Sequence, residues 1–123
     1  MTPQFSIAAG WMGILFCFVT GMMIGLLSVN DAWLGGYADK ARRYMRLGHI
    51  ACAALGMINI LAGLCALNGF LISETALICL LVGLITMPIA CWITVFTPKG
   101  FHLFPIPSLS LMAGAILILK DVL

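Results

Sequence analysis

The chain has 123 residues, of which 63% are hydrophobic and 8% charged, with six Lys or Arg, four Asp or Glu and two His. A soluble domain carries about 25% charged residues, so these figures exclude one and indicate an all-α integral membrane protein, as does a mean hydropathy of +1.19. The net charge of +2 offers too little basic surface for nucleic-acid binding.

The first span is expected over residues 5–29, Phe5 to Val29, which holds no charged residue and is long enough to cross about 30 Å of hydrocarbon. A secretory signal would open on a basic residue, whereas this chain opens Met-Thr-Pro-Gln-Phe-Ser, so the segment reads as a retained helix. The following loop, residues 30–46, carries Lys40, Arg42, Arg43 and Arg46. The second helix is expected over 44–68, ending at Asn68-Gly69, where both residues tolerate the left-handed conformation. Ser73 then caps a third helix, 74–97, with Glu74 at the positive end of its dipole. Pro88 in its interior removes a backbone donor and clashes with the carbonyl of Leu84, so a kink is expected there. Thr97-Pro98-Lys99-Gly100 reads as a turn, and residues 101–107, with Pro105 and Pro107, predict an extended segment carrying His102 before a short fourth helix over 106–123.

Orientation follows from counting basic residues. The loops after helices one and three hold five Lys or Arg, and the opposite side holds Lys120 alone. The positive-inside rule therefore puts residues 30–46 in the cytosol and both termini outside, in a bacterial inner membrane. Trp33, Tyr37 and Tyr44 fit an aromatic belt on the inner side. With no long loop and no repeat, residues 1–123 read as one four-helix transmembrane bundle.

No Asp, Glu, Lys or Arg lies in the middle of a span, which argues against a pump or ion-coupled transporter. There is no nucleophile–base pair and no phosphate-binding glycine loop, so the chain is not expected to be an enzyme by itself. Cys17, Cys52, Cys65, Cys79 and Cys91 lie in apolar runs without metal-ligand spacing and read as small hydrophobes.

The constellation with chemical content is His49 and His102. On different elements at similar depth near the inner face, they have the disposition of two axial ligands of a haem b. Residues 49, 53, 56, 60 and 63 share a helix face and read His, Ala, Gly, Ile, Gly, leaving space, and Arg46 lies one turn away to meet a propionate or a lipid phosphate. The competing reading is helix packing through the small residues Gly48, Cys52, Gly56 and Gly63, with Asn59 bonding across the interface and Gly21 and Gly25 forming a G-x-x-x-G pair.

Three functions follow. The first is an accessory subunit of a larger membrane complex of respiratory or electron-transfer type, contacting lipids and other subunits. The second is a haem-b or quinone-contacting electron carrier. The third, a homo-oligomeric channel or permease subunit, is less favoured and would line its path with Thr20, Asn59 and Thr86.

Overall fold

The computed structural model describes all residues 1–123 and is helical almost throughout. Its four long helices are α1 (Pro3–Leu27), α2 (Lys40–Leu67), α3 (Glu74–Phe96) and α4 (Pro105–Val122). A short 3-10 turn, Trp33–Gly35, lies between α1 and α2, and another, Pro98–Leu103, between α3 and α4. All four helical segments are long and apolar enough to cross a membrane, the last including the 3-10 turn that precedes α4.

Local chemistry accounts for the helix ends. Thr2 caps α1, its hydroxyl accepting from the Phe5 amide, and Pro3 occupies the first turn, where a missing amide hydrogen costs nothing. Asp39 caps α2 by accepting from the Ala41 amide, so the helix begins at Lys40, four residues before the expected start. The basic residues therefore stand on the first turns of a helix and not in a loop. Ser73 caps α3 through the Ala76 amide, and Gly69, at φ +89°, makes the left-handed turn that ends α2. Leu34 is the one non-glycine residue with positive φ, at +52°, in a loop that continues through Gly35 and Gly36.

α3 runs as one helix from Glu74 to Phe96 with Pro88 in its interior and buried. One expectation is corrected. The turn expected at residues 97–100 continues as a 3-10 turn through Leu103, so His102 lies in it and not in an extended stretch, and the chain folds back so closely that a Cβ on Gly100 would lie 2.7 Å from the Thr94 amide nitrogen. Only glycine permits that approach. After the turn, α4 starts at Pro105.

The helices form an open row more than a closed bundle. α2 and α3 are central; α1 lies along α2 and touches α3 at one edge, while α4 has its extended interface with α3. Closing the ring would gain little, because lipid solvates an apolar flank as well as another helix does. The ends of the row are fixed by polar contacts. The Met1 amino group lies 2.8 Å from Glu74, and Asp121 accepts from the Ser73 amide at 2.8 Å, so both termini and the α2–α3 link share one end. At the other end Tyr44 meets Phe104 at 5.9 Å between ring centroids, and the Trp92 indole donates to Met45 O at 3.4 Å.

Candidate functional site

The polar centre of the molecule is Asn59, fully buried on α2. Its Nδ2 donates to Leu55 O at 2.9 Å within its own helix and to Leu80 O on α3 at 3.3 Å. Ser6 of α1, also fully buried, donates to Asn59 O at 3.0 Å, with the amide Oδ1 at 3.4 Å. One side chain thus ties three helices together in a medium that offers no water as an alternative partner.

Small residues bring the backbones close enough for this. A Cβ on Gly10 would lie 2.4 Å from Gly56 O, and one on Gly56 would lie 2.7 Å from Gly10 O. Gly63 meets Pro3 O and Ile7 in the same way, and Gly48 meets the Trp92 indole. Cys52 is buried beside this seam, with its carbonyl 3.0 Å from where a Gly13 Cβ would stand. A Cβ on Gly21 would run into the His49 ring, whereas one on Gly25 would meet nothing within 4 Å. The space that Gly56, Ile60 and Gly63 leave on α2 is filled by α1.

His49 turns toward α1. Its Nδ1 is 3.1 Å from Thr20 Oγ1 and 3.4 Å from Cys17 Sγ, and its Nε2 is 3.8 Å from the same sulfur. The Thr20 hydroxyl also lies 2.9 Å from Phe16 O and 3.1 Å from Cys17 O on its own helix. Both ring nitrogens are engaged with α1. His102 is exposed on the 3-10 turn that packs against α3 and α4, with Phe101 edge-on at 6.2 Å. No hydrogen bond or ring contact joins the two histidines directly. His49 is half-buried between α1 and α2, and His102 stands exposed on the turn before α4.

Arg46 turns away from His49, its guanidinium 4.4 Å above the centre of the Tyr37 ring and 3.4 Å from Tyr37 O. Arg42 is 4% exposed and donates to Ser28 O at 2.9 Å, closing the carbonyl end of α1, and to Asp31 O at 3.5 Å. A cation at a helix C-terminus also meets the negative end of the dipole. The Trp33 ring lies 5.4 Å from the same guanidinium. Around these groups is a polar pocket of about 250 Å³ lined by Ile24, Ser28, Asp31, Tyr37, Arg42 and Arg46.

A second, larger cleft of about 510 Å³ runs between α1 and α3 over α2, from Phe5 to Trp92, with Gly13 and Cys52 in its lining. It is apolar, and the indole hydrogen of Trp92 is already given to Met45 O. No three His, Cys, Asp or Glu side chains converge anywhere in the molecule, and all five cysteines are free.

Several packing residues escaped sequence reasoning. Gly10 and Gly13 are the α1 half of the α1–α2 seam, and Gly83 and Gly114 let Leu111 and Leu80 cross the α3–α4 interface. Their signal, small residues three apart on one helix or isolated in another, is shared by many helices without such contacts. Ser6 had no signal at all, because its role depends on Asn59 being opposite.

No protein-family model matches the chain, and no curated protein or solved structure is significantly similar to it.

Proposed function

We propose that this chain is a structural subunit of a larger membrane assembly, with no reaction centre of its own. One observation carries the reading: every buried side-chain nitrogen or oxygen has a hydrogen-bond partner within the protein. The polar groups act as fasteners between helices. Asn59 joins α1, α2 and α3, His49 joins α2 to α1, and Ser110 joins α4 to α3 through Cys79 O at 2.7 Å. A path for ions or water needs polar groups with spare capacity. Thr20 and Thr86 instead return their hydroxyls to carbonyls of their own helices.

The flanks support the same reading. α1 presents Trp11, Met12, Leu15 and Phe18 outward and buries only Ser6, Gly10 and Cys17. α4 presents Leu109, Met112 and Ile116 and buries only Pro107 and Gly114. Such faces serve lipid and neighbouring transmembrane helices equally well. We further propose that the basic end faces the cytosol of a bacterial cell, with both termini across the inner membrane from it.

Gentle solubilisation followed by native electrophoresis and mass spectrometry of the band tests the assignment. The chain is expected in a particle far heavier than 13.2 kDa that contains unrelated subunits. Migration as a monomer, or as multiples of itself alone, overturns the assignment.

A further inference from the structure

We propose that the pocket at the basic end binds the phosphodiester headgroup of an anionic phospholipid, gripped by Arg42 and Arg46. The first ground is charge. Lys40, Arg42, Arg43 and Arg46 face only Asp31 and Asp39 in the connecting segment, and none of the four is paired with a carboxylate. The single ion pair of the protein, Met1 with Glu74, lies at the opposite end. An excess of cations without internal partners is neutralised from outside.

The second ground is construction. Each guanidinium has five N–H donors. Arg42 uses donors on Ser28 O and Asp31 O, and Arg46 makes only a long contact to Tyr37 O. Both cations are held against aromatic rings, Trp33 and Tyr37, which limits the side-chain freedom lost on binding. Trp and Tyr rings favour the membrane–water interface, which matches a pocket at headgroup depth. Its volume of about 250 Å³ suits a headgroup better than a whole organic ligand, for which sites run to about 300–1,000 Å³.

The third ground is Asp31, which lines the same pocket. A carboxylate there repels a dianion such as inorganic phosphate more than a singly charged phosphodiester. It also accepts hydrogen bonds from a hydroxylated headgroup. The surplus of arginine charge favours a net-anionic phosphatidylglycerol-type lipid over a zwitterionic choline lipid, and Asp31 disfavours free phosphate.

Native mass spectrometry of the protein in a non-ionic detergent, titrated with phosphatidylglycerol, phosphatidylcholine or inorganic phosphate, tests this. One phosphatidylglycerol should be retained in preference to phosphatidylcholine, and Arg46→Ala should lower that preference about fivefold. Arg43→Ala removes the same charge from an exposed side chain outside the pocket wall, and should leave the preference intact. If Arg46→Ala does not insert, Tyr37→Leu, which takes away only the exposed ring under that guanidinium, carries the same expectation. Equal retention of the two lipids, equal losses in Arg43→Ala and Arg46→Ala, or displacement of the lipid by millimolar phosphate each overturns the proposal.

Discussion

Asn59 and Ser6 meet with no exposure to the surroundings, and their bonds reach backbone carbonyls on α2 and α3. Single hydrogen bonds between membrane helices are worth about 0.6 kcal/mol on average and about 1.7 at most. Asn59→Leu removes two interhelical bonds and leaves the Ser6 hydroxyl with the Asn59 carbonyl alone, so a loss of about 1–2 kcal/mol is expected in reversible unfolding from mixed micelles. Backbone contact at Gly10 is less forgiving. A Cβ there would lie 2.4 Å from Gly56 O, and backbone cannot swing aside as a side chain does. Gly10→Val should therefore cost more than Asn59→Leu, about 3 kcal/mol or beyond, by forcing α1 off α2. Gly25→Ala, whose added methyl meets nothing, should fall within about 0.5 kcal/mol of the parent. If Gly25→Ala proved as damaging as Gly10→Val, the seam would be in the wrong place.

Between elements, the order of attachment follows from what each helix shares. α2 and α3 are enclosed by neighbours, α1 is fastened through Asn59 and His49, and α4 through Ser110, Asp121 and the Gly83 and Gly114 notches. Local stability tracks such contacts. Amide hydrogen exchange in detergent should open α4 first and the middle of α2 last; uniform protection across all four helices would contradict the open row. Much of this element list was legible beforehand. Charge-free runs mark the spans, and Ser73-Glu74 and Asn68-Gly69 mark a start and a stop. The start of α2 was misplaced because the charged run 40–46 reads as a loop by hydropathy, whereas the Asp39 cap sets the helix running at Lys40. The site was less legible. His49 and His102 share a depth in the sequence, but depth does not give direction around a helix axis. The residue that claims His49, Thr20, lies 29 positions away on α1.

At the scale of the whole molecule, the distribution of charge and the placement of the ends form one pattern. Met1, Glu74, Ser73 and Asp121 meet at one end, and the basic turns of α2, the aromatic rings and the 3-10 turn of residues 98–103 gather at the other. The proposal of a structural subunit also predicts that the purified, reduced protein shows no Soret or α band; such bands, lost in both His49→Ala and His102→Ala, would overturn it. The four crossings are tested most directly by single reporter cysteines in a background without the native five. With an impermeant maleimide on intact cells, Thr2→Cys and Val122→Cys should both label, and Ala38→Cys should label only after the membrane is opened. Labelling of the two terminal reporters from opposite sides, or of Ala38→Cys from the same side as either, would contradict this topology.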